Sequence, residues 1–243
     1  MENKIIDNRY ELVRSIGTGG FACVYKAWAL NLEKYVALKK IHECYTDDSN
    51  LIESFRKEAV NTARLEHENI VRVIDFVKTN ANEYYIVMEY ISGRDLEYLT
   101  GVAAKKGIKI SAELAVHITA EALKALNYAH GRKDELTGKP SAIIHRDVSP
   151  SNIMICFDGR VKLTDFGIAG ILGGKKDFTG QGKLSYMSPE QLCAGNDIDE
   201  RSDIYSLGII LWELLAGRKL FNRLSRIPPC NENAEISLND IPE

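Results

Sequence analysis

The sequence lacks a cysteine framework. Its five cysteines (23, 44, 156, 193 and 230) are odd in number and widely spaced, and none forms a CxxC pair. That pattern argues against a disulfide-stapled fold or a cysteine-rich zinc site, and it predicts a reducing, cytoplasmic setting. A charge excess is also missing. Lys and Arg number 31 against 34 Asp and Glu, a formal net charge of −3. This balance predicts no nucleic-acid partner and no polybasic attachment to a membrane. With 18 glycines and 6 prolines, the chain has too little of either to be collagenous or low-complexity. No long apolar run occurs. The greasiest stretch, residues 207–215, is broken by Gly208 and Glu213 and falls far short of a membrane span, so it reads as a buried helix. The polar first eight residues hold no apolar signal segment. What remains, 45% apolar and 27% charged residues, is the composition of a globular protein large enough to bury a sizeable core.

Hydrophobic patterning changes character part-way along the chain. Short strands are predicted at residues 10–16, 22–29, 34–40, 71–78 and 83–90. A single helix is predicted among them at 51–65, with Leu51, Phe55, Ala59 and Ala63 on one face and Asp48 or Ser49 as its cap. Beyond Ser92 and Gly93 the pattern becomes helical. Ser111 is placed to cap a helix over 112–130, and a strongly apolar helix runs from about Asp203 to Leu215, closed by Gly217. Short apolar segments at 142–144, 153–156 and 161–163 lie between these helices. The stretch 222–243 is polar and holds three of the six prolines.

The residues that carry chemistry come in one ordered set. Gly17-Thr18-Gly19-Gly20 forms a bare turn between two strand patterns, where backbone N–H groups are able to approach a polyphosphate. A strand rather than a helix follows, which argues against a dinucleotide-binding turn. Lys39 lies on the next strand, and an inward-facing lysine there needs an ion pair or a bound anion. Glu58 is its candidate partner, while Lys40 is expected to face the opposite way into solvent. His145-Arg146-Asp147 is followed by Asn152, and Asp165-Phe166-Gly167 comes later. One carboxylate to position a hydroxyl, with an Asp/Asn pair of oxygen ligands for Mg²⁺, is the equipment of phosphoryl transfer.

This ordered set resembles the protein kinases of the eukaryotic-like (Hanks) Ser/Thr type, over about Tyr10 to Gly217. The resemblance implies an α+β fold of two lobes: a tail at 1–9, a small β-rich lobe at 10–91, an α-rich lobe at 92–221 and a polar tail at 222–243. It implies ATP and Mg²⁺ as cofactors and a protein with Ser or Thr hydroxyls as substrate. Ile16, Gly17, Gly19, Val24 and Ala37 would cover ATP, and Lys39, paired with Glu58, would hold its phosphates. Met88 would be the gatekeeper, Glu89–Ile91 the hinge, and Met154 the floor under the adenine. Asp147 would be the catalytic base, with Asn152 and Asp165 as Mg²⁺ ligands. His145 and Phe166 would be packing residues, and the remaining histidines surface or packing residues. Thr179 would be a candidate for autophosphorylation.

Several departures from the family pattern stand out. Ala22 replaces the third glycine, and 131–141 reads as a surface insertion. Ser149 stands where the family carries a lysine, and Lys183 stands where it carries a threonine. This exchange suggests that the cation acting on the transferred phosphoryl has moved to Lys183. The chain also stops before the family's last helices and offers no arginine for Glu190. That predicts self-association, and it keeps open the alternative of a non-catalytic ATP-binding pseudokinase or scaffold. A small-molecule phosphotransferase ranks last, because it should lack the Ser188-Pro189-Glu190 segment.

Overall fold

The computed structural model describes residues 4–134, 137–166, 183–192 and 198–221. The β-rich lobe is one antiparallel sheet with strands β1 (Ile5–Ile6), β2 (Tyr10–Thr18), β3 (Ala22–Ala29), β4 (Lys34–Ile41), β5 (Val73–Lys78) and β6 (Tyr84–Glu89), in the order β1-β2-β3-β4-β6-β5. Helix α1 (Ser49–Ala63) lies between β4 and β5 in the chain, and Asp48 caps it by accepting from the amides of Asn50 and Leu51. The central strands β4 and β6 are apolar on both faces because both faces are covered. Val36, Leu38, Tyr85 and Val87 pack on one side with Ile6 and Tyr10. Ala37, Ile41, Ile86 and Met88 pack on the other with Phe55 and Ala59 of α1. The period of two therefore sends Lys39 toward α1 and Lys40 away from it.

The second lobe begins with β7 (Gly93–Asp95), which joins β8 (Ile153–Cys156) and β9 (Val161–Leu163) in a small sheet ordered β7-β8-β9. Gly93 is required there, since a Cβ would lie 2.2 Å from the Ile155 carbonyl oxygen. Helices α2 (Leu96–Lys105) and α3 (Ala112–His130) follow β7 in the chain, and α4 (Pro189–Leu192) and α5 (Arg201–Ala216) come after β9. One core unites α3, α5 and β9 through Ile118, Ala122, Leu126, Leu163, Leu207 and Ile210. Gly217, at φ 67°, ends α5 in the left-handed conformation. The lobes are stitched where Leu163 exchanges backbone hydrogen bonds with Asn69 (2.7 Å) and Val71 (2.8 Å). Among the described residues no helix is long and apolar enough to cross a membrane.

The structure departs from the sequence pattern in four places. Ile5–Ile6, tail in the sequence pattern, forms β1 and buries Ile6 against the sheet. Helix α2 has no counterpart in the sequence reading, although Asp95 caps it through the Tyr98 amide at 2.7 Å. Residues 71–72 precede β5 because Val71 pairs with Leu163 instead. The apolar segment 142–144 forms no strand; it is irregular, and the Ile143 amide bonds to the Ala129 carbonyl. The described residues of the predicted insertion, 131–134 and 137–141, lie at the surface, and Lys133 pairs there with Pro140.

Candidate active site

Strand register assembles the first half of the site. Gly17 faces Val24 across β2 and β3, Val24 faces Lys39 across β3 and β4, and Ala37 faces Met88 across β4 and β6. Val24, Ala37, Met88 and Ile91 join one apolar cluster with α1, next to Lys39. Ile16 sits outside that cluster and is substantially exposed. Met154 lies in β8 opposite Asp95 and Lys162, partly buried. Glu89 caps the approach between the lobes: its carboxylate accepts from the Arg72 amide (2.9 Å) and pairs with the buried Lys162 (2.8 Å). The sequence carries no signal for that pair.

Lys39 is buried and donates to Glu58 Oε1 at 3.0 Å and Asp165 Oδ1 at 2.8 Å. The Glu58 pair matches the sequence expectation; the Asp165 contact, 126 residues away in the chain, has no signal there. Burial alone would lower the lysine, but Asp165 and then Glu58 outweigh it and hold Lys39 well above the usual ammonium range. Burial pushes the Glu58 carboxyl up to about 7 although Lys39 opposes it. Its Oε2 has no hydrogen-bond partner among the described residues.

A loop and a short 3₁₀ turn, Pro150–Asn152, carry the second half. Asn152 donates to the Asp147 carbonyl (2.7 Å) and to Asp147 Oδ2 (2.9 Å). Both of its N–H groups are thus used, which turns its amide oxygen away from Asp147. Asp165 adopts φ 63°, and about a quarter of its side chain is exposed. An amide oxygen and a carboxylate are hard donors suited to Mg²⁺, which keeps other positions for water or phosphate. Among the described residues no cluster of three or more His, Cys, Asp or Glu side chains forms a separate metal site.

Buried Asp203 fixes the backbone before Asp147. Its Oδ2 accepts from the His145 amide (2.8 Å) and Oδ1 from the Arg146 amide (2.7 Å). His145 and Phe166 pack with their ring centroids 4.5 Å apart, as expected of packing residues. His130, a surface or packing residue in the sequence reading, instead contacts Asp203 Oδ2 through Nε2 at 2.7 Å. Two further readings need correction. His42 sits with Nε2 2.8 Å from the Gly19 carbonyl and Nδ1 3.7 Å from the Cys23 sulfur. Lys40 is paired with Glu43 and Glu83, against the expected solvent exposure.

Ser149 is buried, with its hydroxyl 3.1 Å from that of Ser151. Lys183 opens the 3₁₀ turn Lys183–Tyr186, but its side chain lies outside the described residues, as do Gly167 and Thr179. Glu190 accepts from the Ser202 hydroxyl at 2.5 Å.

Known proteins are similar to this chain. A family model described as the protein kinase domain covers residues 10–238. A probable serine/threonine-protein kinase of Clostridium perfringens is 38% identical over 258 residues, covering 99% of this chain and 36% of the relative. Serine/threonine-protein kinase PrkC of Bacillus subtilis is 38% identical over 228 residues, covering 92% and 33%. The crystal structure of the Mycobacterium tuberculosis PknI kinase domain matches with a TM-score of 0.72 at 27% identity, over 94% of this chain and 83% of that one. The chain spans about a third of the length of the curated relatives it matches.

Proposed function

The chain belongs to the protein kinase family, and from that premise we propose that it transfers the γ-phosphoryl group of ATP to serine or threonine hydroxyls of a protein. The observation that carries this reading is the buried Lys39 held between Glu58 and Asp165, in the same site as the Asp147–Asn152 pair. Lys39 would hold the α- and β-phosphates, and Glu58 keeps its ammonium in place. Ile16, Gly17, Gly19 and Val24 would lie over the nucleotide. Ala37, Met88, Glu89, Ile91 and Met154 would frame the adenine. Asn152 and Asp165 would hold Mg²⁺, which when bound neutralises charge on the phosphates. Asp147 orients the acceptor hydroxyl and takes its proton. The positive charge that Ser149 does not supply we assign to Lys183. Lys183→Ala should then lower kcat far more than it raises KM for ATP.

The joint presence of Lys39, Asp147, Asn152 and Asp165 favours the enzyme over a pseudokinase or scaffold. Radiolabelled ATP with Mg²⁺ and a generic acceptor protein tests the reading, with phosphoamino-acid analysis of the product. Label on serine or threonine, reduced about 10²–10³-fold in Asp165→Ala, is the expected result. Equal labelling by parent and variant would overturn the assigned metal ligands.

A further inference from the structure

We infer that Gln191 is a positioning residue that couples the segment from Lys183 to Ser188 to Asp147; the inference rests on the phosphoryl-transfer reading above. Gln191 lies in α4, far along the chain from the catalytic loop. Its Nε2 donates to the Arg146 carbonyl at 2.8 Å. Its Oε1 accepts from the Ser188 amide at 3.0 Å and from the Ser188 hydroxyl at 3.2 Å. The orientation of the amide is fixed by chemistry, because only its nitrogen can donate to a carbonyl.

The Arg146 carbonyl belongs to the peptide bond that leads into Asp147. Arg146 itself holds φ 65°, a left-handed conformation that an arginine keeps only when its surroundings impose it. Asp203 grips the two amides on the N-terminal side of this turn. Gln191 grips the carbonyl on the other side. Ser188 is fully buried and follows the turn Lys183–Tyr186, whose Tyr186 carbonyl accepts from Ser206 of α5 at 2.7 Å. One side chain thus ties the end of the segment that begins at Lys183 to the backbone of Asp147. A shift of either is passed to the other through a neutral, bidentate amide.

The variant Gln191→Glu separates the two links. A carboxylate still accepts from Ser188 but has no N–H for Arg146. We expect kcat toward the acceptor protein to fall between about tenfold and a hundredfold, the range that small misplacement of a reacting group produces. KM for ATP should stay unchanged, and Tm should stay within about 2 °C of the parent. Hydrogen exchange followed by mass spectrometry should speed up at least tenfold in a peptide covering 145–148, but not in α5. Unchanged kcat and unchanged exchange in Gln191→Glu would overturn the inference. So would a loss of kcat that only follows the loss of folded protein across Gln191→Glu and Gln191→Ala. If the parent transferred no phosphoryl group, the functional reading would fall while exchange still decided the coupling: faster exchange confined to 145–148 supports it, and unchanged exchange removes it.

Discussion

Asp203 and Glu58 are both buried carboxylates beside the same site, and they are satisfied differently. Asp203 has three polar partners: the amides of His145 and Arg146, and His130 Nε2. Glu58 pairs with Lys39 through one oxygen and leaves the other without a partner among the described residues, and burial lifts its carboxyl up to about 7. The satisfied carboxylate holds backbone, and its contacts lie within one lobe. The strained one holds a lysine that is shared with Asp165 from the other lobe. A saturated network fixes geometry, whereas a buried lysine that donates to two carboxylates keeps a third N–H that an incoming phosphate could accept from.

The comparison is broken most severely at Asp203. Asp203→Ala leaves the amides of His145 and Arg146 and the His130 ring without their acceptor, and should cost about 3 kcal/mol or more, since each donor left unsatisfied on burial costs about 1–3 kcal/mol. Chemical denaturation measures it; a loss below about 1 kcal/mol would mean the network is not the anchor it looks to be.

At the strained centre the larger effect falls on chemistry. Lys39→Ala should slow phosphoryl transfer by about 10²–10³ and lower Tm, because Glu58 loses its counter-charge. Combining Lys39→Met with Glu58→Gln should recover the melting temperature while transfer stays lost. Recovery of both would show that Lys39 serves the fold alone.

The pH dependence sharpens the contrast next. Glu58 has a folded pKa of about 7 against an ordinary 4.5. Between those values the folded protein keeps a proton that the unfolded chain has released, so this group's contribution to stability falls as pH rises from 4.5 to 7. Glu83 behaves oppositely. Burial raises it, but hydrogen bonds from Lys40, Lys4 and Tyr85 outweigh that and bring it down to about 2. Its contribution is present above 4.5 and is lost as pH falls toward 2. Melting curves across pH should therefore flatten in the upper window for Glu58→Gln and in the lower window for Glu83→Gln. Unaltered slopes would place the titration elsewhere.

The smallest effects should be alike in the two lobes. Asp48 caps α1 and Ser111 caps α3 through the Leu114 amide. Replacing either by alanine should cost about 1 kcal/mol with kcat unchanged. A loss of activity from Asp48→Ala alone would show that the start of α1 also sets the position of Glu58.

Much of this molecule is legible in its sequence, for local reasons. Alternation on β4 separates Lys39 from Lys40, Ser111 and Gly217 mark helix ends, and apolar spacing marks α1, α3 and α5. Each signal lies within one or two turns of the chain, so the backbone's own periods express it. The motif order around Gly17, Lys39, Asp147, Asn152 and Asp165 carries the family resemblance without any geometry. Helix α2 stays hidden because its cap, Asp95, is itself the last residue of strand β7. Strand β1 stays hidden because two residues are too few to show a period.

Tertiary structure alone decided which polar groups meet. Nothing local predicts that His130 reaches Asp203, that Lys162 reaches Glu89, or that Gln191 reaches the Arg146 carbonyl. Lys40 and His42 look like surface residues in the sequence, yet Lys40 is paired with Glu83 and His42 bonds to the glycine turn. The physical reason is the same for the buried and half-buried pairs among them. Burial removes water from these groups, and each then takes whatever partner the packed core brings within about 3 Å. Periodicity chooses the face of an element on which a residue stands, but only the packing of distant elements chooses what stands opposite it.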